Sequence, residues 1–307
     1  MKKLWKYMRD YRREGILAPL FKLLEASLEL LVPLVMAQII DTGIANGDRG
    51  FILSRCGILA VLAAVGLVCS ITAQYFAAKA SVGFAAKLRS TLFKHIQSLS
   101  YSKLDTQGTG TLIARITGDI NQVQSGMNLA LRLLLRSPFV VFGAMIMAFT
   151  IDVKAALVFV VTIPLLSIVV FGIMLWSIPM YKKVQARLGK GLGITRENLS
   201  GVRVIRAFCK EDEERREFGE RNAALTKLQL IVGRVSAAMN PATYIMINLG
   251  IAVLIYVGAL RVDSGILTQG QVVALYNYMS QILVELVKLA SLIITITKAL
   301  ACAGRVS

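Results

Sequence analysis

Four stretches of this chain, Cys56 to Ala78, Ala155 to Tyr181, Val235 to Leu260 and Ser264 to Val284, contain no Asp, Glu, Lys or Arg. Each reaches the length of about 20 apolar residues that carries a helix across the hydrocarbon core of a bilayer. A helix without a polar face has no side to offer to water. Two further blocks, Ile16 to Ile40 and Met127 to Ile151, are as long but carry Lys22, Glu25 and Glu29 in the first and Arg132 and Arg136 in the second. Both count as spans, and the sixth span runs on to about residue 296. Composition agrees: 56% of residues are apolar and 17% charged, with a mean hydropathy of +0.64, whereas soluble domains carry about 25% charged residues. The expected fold class is an all-α membrane protein with six transmembrane helices.

The formal charge of +17 does not indicate nucleic acid, because the Lys and Arg residues alternate with apolar blocks and form no patch with interleaved aromatics. Six spans leave three short connections on one side, around Asp41 to Arg55, Asp152 to Lys154 and Arg261 to Asp263. Of the 35 basic residues, these hold only Arg49, Arg55, Lys154 and Arg261. Both termini are therefore expected in the cytoplasm, the membrane being a bacterial inner membrane or a plasma membrane. Cys56, Cys69, Cys209 and Cys302 are far apart without C-x-x-C spacing, and His95 is the one histidine, so neither a disulfide framework nor a metal site is expected.

No removable signal peptide is read at the N-terminus. Leu4, Trp5, Met8 and Tyr11 recur at helical spacing among Lys3, Lys6, Arg9, Arg12 and Arg13. Residues 1–15 are accordingly expected to be an elbow helix lying on the membrane, ahead of a transmembrane domain over residues 16–307. Two connections, Lys79 to about Gly126 and Lys182 to Arg234, exceed ordinary loop lengths. In the first, Ala85, Leu88, Leu92, Ile96 and Leu99 repeat every three or four residues, so the second span continues as an amphipathic helix, about 30 Å beyond the bilayer. Tyr101 to Thr111 breaks it, with Gly108, Gly110 and a Ser102-x-x-Asp105 pattern suited to capping a short helix. The second connection is expected to turn near Ala207 to Glu214, giving two long hairpins with short transverse tips.

At these tips the sequence resembles the membrane domain of six-helix ABC exporters, over essentially the whole chain. LFKHIQSLSYSKLDTQGTGTLIARITGDINQVQ is similar to the family pattern F-D-x-x-x-x-G-x-L-x-S-R-x-x-x-D, and ENLSGVRVIRAFCKEDEERREFGERN to E-x-x-x-G-x-x-x-V-K-A-F. Leu104, Ala114 and Arg206 depart from the usual aromatic, serine and lysine. Asp41, Gly43 and Ile44 form a post-helix turn similar to that in one half of heterodimeric bacterial multidrug exporters. Leu199-Ser200-Gly201 matches the start of the signature LSGGQ, but Val202 and Arg203 follow, and the match is read as coincidence.

The resemblance implies a type 1 exporter transmembrane domain that pairs with a second, identical or different, membrane subunit as a domain-swapped dimer. It further implies nucleotide-binding domains that bind ATP and Mg. No G-x-x-x-x-G-K-[ST] occurs in the chain, so no nucleotide-binding domain, catalytic residue or cofactor is expected within it. Each tip would be a coupling helix docking on a nucleotide-binding domain, through Leu104, Asp105, Gly108, Thr109 and Gly110 in the first and Ala207, Phe208, Cys209, Lys210 and Glu211 in the second. The assembled complex would be an ATP-hydrolysing translocase for amphipathic, lipid-like, drug or peptide substrates.

Ionisable residues in spans usually face a cavity or one another. Glu25 and Glu29 share one helix face, as do Arg132 and Arg136. Glu285 and Lys288 lie below Asn277 and Gln281, and Asn240 and Asn248 mark the fifth span. These groups either line an inward-open cavity for an amphipathic, cationic substrate or pair between helices and reach toward the interface. Pro33, Pro138, Pro164, Pro179 and Pro241, in or beside spans, either kink the helices to widen a cavity or serve packing alone. A secondary transporter would show brief connections and broken helices at mid-membrane; a non-transporting regulator or scaffold built on ABC-like helices remains as an alternative.

Overall fold

The structure is a computed structural model that describes residues 4–306, with the side chains of Leu4, Trp5, Lys190, Leu192, Arg196 and Asn240 outside that description. Leu4 and Trp5 of the amphipathic pattern, and Asn240 of the fifth span, therefore lie outside the described side chains. The fold is 94% helical with no strand among the described residues. Among the described residues six helical segments are long and apolar enough to cross a membrane; five of the six apolar blocks fall wholly within one of them, and the sixth does so from Gln269 onward. The chain divides into two units, one of residues up to Ile163 and from Gly250 onward, the other Pro164–Leu249.

The first unit begins with a 3-10 segment, Leu4–Tyr11, that leads into α1 (Arg12–Gln38). Its described apolar side chains turn toward the protein. Met8 is buried, with Tyr7 and Tyr11, against Ala80, Phe84 and Leu88. Helix α1 ends in a π turn, Ile39–Ile44, and α2 (Arg49–Gln97) starts seven residues before the uncharged block, where the Asp48 carboxylate accepts the Phe51 N–H at 3.0 Å. At 49 residues and 1.5 Å per residue, α2 is about 74 Å long, more than twice the ~30 Å hydrocarbon thickness.

The third span is two helices, α5 (Ile120–Leu133) and α6 (Arg136–Ile151). The break at Leu134 and Leu135 has a local cause: Pro138 lacks the N–H that would bond the Leu134 carbonyl, and its ring crowds that carbonyl. Asp152 alone joins α6 to α7 (Val153–Ala207), a shorter turn than the expected Asp152 to Lys154. Its carboxylate accepts the Ala155 N–H at 2.7 Å and pairs with Arg261. Burial favours a raised carboxyl pKa at Asp152, but the Ala155 bond and Arg261 outweigh it and hold the group below the usual range. Helix α8 (Glu211–Asp263) returns, and α9 (Gln269–Val306) closes the unit. The block from Ser264 is thus a turn as far as Thr268, because Gly265, at φ +71, terminates α8.

Helices α1, α2, α5, α6 and α9 pack on one another through small residues. Ala18, Ala26, Ala73, Ala77, Ala274 and Ala290 are buried, and a Cβ on Gly126 would stand 2.3 Å from the Ala299 side chain. Such close approach supports helix association where lipid supplies no hydrophobic drive. Tyr278 is fully buried and its hydroxyl donates to the Leu30 carbonyl at 2.7 Å. The second unit, Pro164–Leu249, consists of the arms of α7 and α8 with their connecting turn. Tyr181 and Ser236 hydroxyls meet at 3.0 Å, and Arg187 donates to the Ala224 carbonyl at 3.2 Å. Pro164, Pro179 and Pro241 lie inside these helices, and Pro19 and Pro33 inside α1.

Candidate functional site: two hairpin tips and a buried ion cluster

The first tip contains a helix of its own, α3 (Tyr101–Gln107), followed by α4 (Thr109–Ala114) and a π turn, Arg115–Asp119. Ser100, not Ser102, occupies the N-cap position, and no side-chain bond closes it. Gly108 serves both helices: its N–H bonds the Leu104 carbonyl at 2.9 Å and its carbonyl accepts from Thr111 and Leu112. It does so at φ +73, which favours glycine. Asp105, Thr109 and Gly110 are exposed, whereas Leu104 is only half-buried toward the tip. The most exposed large apolar side chain of the tip is Tyr101, at 87%. Tyr101 carries no sequence signal of this role, because it stands outside the motif, at the first helical position.

The second tip is a turn rather than a separate helix, since α7 ends at Ala207 and α8 starts at Glu211. Cys209 N–H bonds the Arg206 carbonyl at 3.2 Å and Lys210 N–H bonds the Ile205 carbonyl at 3.0 Å, the paired bonds of a Schellman stop. Turns at Gly47 and Gly265 use the same bonds with glycine in the left-handed position. Here Cys209 takes it, at φ +49, at a cost of about 1–2 kcal/mol. Phe208 is 73% exposed, Ala207 and Lys210 are exposed, and Glu211 is half-buried. Lys210 bonds Glu213 at 2.8 Å, which raises its pKa. Glu211, Asp212, Glu213 and Glu214 occupy the first turn of α8, where acids complement the helix dipole.

Within the first unit, Lys22, Glu25, Glu29, Arg136, Glu285 and Lys288 each take part in an ion pair. Arg136, at the first position of α6, reaches Glu285 on α9 at 2.6 Å and Glu29 on α1 at 2.5 Å. Glu285 also accepts from the Ser137 hydroxyl at 2.8 Å and from the Lys288 ammonium at 2.9 Å. Arg136 is 8% exposed and Glu285 3%, while the Glu29 side chain remains 42% accessible. Glu25 pairs with Lys22 at 2.6 Å, and Lys22 also bonds Ser70 at 3.2 Å. Of the expected pathway residues, Glu29, Arg136 and Glu285 come together. Arg132 and Gln281 each bury a polar atom, Nε and Oε1, for which the described residues supply no partner. Asn277 is half-buried; Asn248, in the second unit, is exposed and bonds its own helix at Tyr244.

A role the sequence left open belongs to Asp41 in the π turn. Its carboxylate accepts the Gly270 N–H at 2.7 Å and the Thr268 hydroxyl at 2.5 Å, so the end of α1 caps the start of α9. A Cβ on Gly270 would lie 2.4 Å from the Ala37 carbonyl. The same unit holds an apolar cavity of about 380 Å³ walled by Pro19, Phe84, Met127, Leu131, Ile296 and Leu300, among others.

Residues 16–286 match the family model of the ABC transporter transmembrane region. The chain belongs to this family. It is 30% identical over 304 residues to an uncharacterised ABC transporter ATP-binding protein of Mycobacterium tuberculosis, covering 99% of this chain and 52% of that protein. Similarity extends to the ATP-dependent lipid A-core flippase of Syntrophus aciditrophicus, 29% identical over 72% of this chain and 37% of the flippase. A putative multidrug export ATP-binding/permease protein of Bacillus subtilis is 24% identical over 100% of this chain and 54% of its own length. The chain spans about half the length of the curated relatives it matches. It is a multi-pass membrane protein built on the ABC transporter transmembrane region. Its relatives are named as ATP-binding proteins.

Proposed function

We propose that this chain forms one side of the substrate pathway of an ATP-driven exporter and transmits the closure of nucleotide-binding domains through its two hairpin tips. The observation that carries this reading is the pair of overlong helical hairpins, each ending in a sharply defined turn with one exposed aromatic, Tyr101 or Phe208. Helices α2, α7 and α8 of 49, 55 and 53 residues exceed any bilayer, and unbroken helices move as levers without exposing backbone groups to lipid. ATP and Mg belong to the nucleotide-binding partners, docked at Leu104 to Gly110 and at Ala207 to Glu211. A second membrane subunit, identical or different, completes the pathway. Tips and termini lie on the cytoplasmic side of the cell membrane, as the distribution of Lys and Arg favours.

The relatives include proteins named for lipid A-core and for multidrug export, which supports an amphipathic substrate. The apolar cavity between α1, α5 and α9 suits its hydrocarbon part. Both acids pair with Arg136, but Glu29 is half-accessible and a cationic group can reach it, whereas Glu285 is buried and held by Lys288 as well. In the assembled complex, Phe208→Ala is expected to leave ATP hydrolysis in place while substrate export falls by an order of magnitude or more. Unaltered export per ATP hydrolysed would exclude the tip as the transmitting contact.

A further inference from the structure

The segment ahead of the first span spends its acids on the protein and leaves its bases outside. Asp10 pairs with Lys87, and Glu14 with Lys79 at 3.0 Å. Lys6, Arg9, Arg12 and Arg13 are exposed, and among the described residues none of them has a carboxylate partner. The described apolar side chains of the segment, Tyr7, Met8 and Tyr11, are packed into the protein. Tyr11 sits so close to α2 that a Cβ on Gly83 would lie 2.3 Å from its ring.

Directly after the bases, α1 exposes Ile16, Leu20 and Leu24. Counted from Arg13 these positions step by three, four and four residues and so share a face. The distance along the axis from Arg13 to Ile16 is about 5 Å. A cluster of uncompensated cations thus meets an exposed apolar stripe within one helical turn, which is the arrangement a phospholipid presents in reverse, phosphate above hydrocarbon. A nucleic acid or an acidic peptide would match the charges but leave Ile16, Leu20 and Leu24 uncovered.

We propose that Lys6, Arg9, Arg12 and Arg13 form a binding site for the headgroups of anionic phospholipids, with acyl chains lying along Ile16, Leu20 and Leu24. The N-terminal segment is then held at the membrane surface by these charges. No unpaired acid remains on the described segment to attract choline or ethanolamine, so the site discriminates by headgroup charge. Each basic residue near an anionic surface adds about fivefold to the preference, and the preference weakens as salt screens it.

The test is native mass spectrometry of the whole chain in detergent micelles, titrated separately with phosphatidylglycerol and phosphatidylcholine. The wild type is expected to bind phosphatidylglycerol at least tenfold more tightly, with the ratio falling as ionic strength rises. In Arg9→Gln/Arg12→Gln/Arg13→Gln the ratio should fall to about the fivefold that Lys6 alone supports, while Arg9→Lys/Arg12→Lys/Arg13→Lys should keep it. Lys6→Gln/Arg9→Gln, confined to the exposed side of the 3-10 segment, serves if the triple variant does not fold, and should lower the ratio severalfold. Equal binding of the two lipids by the wild type would overturn the proposal. So would an unchanged preference in folded glutamine variants.

Discussion

Replacing Arg136 by Met would test whether the ion cluster is a closed structural element. The guanidinium lies 2.6 Å from Glu285 and 2.5 Å from Glu29, but the two acids differ in what they would lose. Glu29 is 42% accessible and can take water instead. Glu285 is 3% exposed and would keep only Ser137 and Lys288. Removing one partner of a buried pair costs about 3–5 kcal/mol, chiefly through the charge left behind. The remaining two donors place Arg136→Met near the lower end, at about 3 kcal/mol. Removing both charges, as Arg136→Met/Glu285→Met, abolishes that penalty, because apolar replacements of a buried pair are often neutral or stabilising. The double variant should therefore recover at least half of the loss. Unfolding in mixed micelles titrated with SDS, followed by circular dichroism, measures all four corners of this cycle. Additive losses, with the double variant the least stable, would show that Glu285 does not depend on Arg136 and would refute the reasoning.

The tip turns make opposite demands on glycine. Gly108→Ala should loosen the first tip by about 1–2 kcal/mol, although a Cβ there meets nothing within 4 Å, and amide exchange should rise in α3 and α4. Cys209→Gly should relieve left-handed strain at the second tip by up to about 1 kcal/mol, partly offset by the entropy of glycine, and slow exchange at Cys209 and Lys210. Asp152→Ala removes the cap of α7 and the Arg261 pair, at a cost of about 1–2 kcal/mol. Because the folded Asp152 carboxyl titrates below its unfolded value, its contribution is fully present above about pH 4 and lost as pH falls through the folded value. The wild-type melting temperature should consequently drop more steeply than that of Asp152→Ala below that pH.

The six spans could be read from the chain because lipid imposes its demand locally: each helix must satisfy its own backbone and be apolar over its own length. Nothing further along the sequence has to be known. The break positions of the hairpins were equally local, since Gly108 and the residues around Phe208 interrupt helical periodicity where they stand. Boundaries suffered where a single residue does the work of a loop, as Asp152 does, or where a proline acts one turn before itself, as Pro138 does on Leu134. The second tip was misread as a transverse helix because a Schellman stop normally announces itself by glycine, and Cys209 carries no such signal.

Partners are another matter. Glu29, Arg136 and Glu285 could each be recognised alone as costly in a membrane, yet the bonds that unite them cross 107 and 149 residues, and helical spacing is silent at that range. The same holds for Asp41, which caps a helix 229 residues later. Amphipathicity has a related blind spot. The spacing of Met8 and Tyr11 shows that one side of the N-terminal segment is apolar but not whether lipid or protein receives it. Gly83 decides this: by leaving room for the Tyr11 ring against α2 it draws the apolar side inward. The exposed bases are thereby left as the segment's contact with the membrane, so filling that space by Gly83→Val should displace the segment and its lipid preference together.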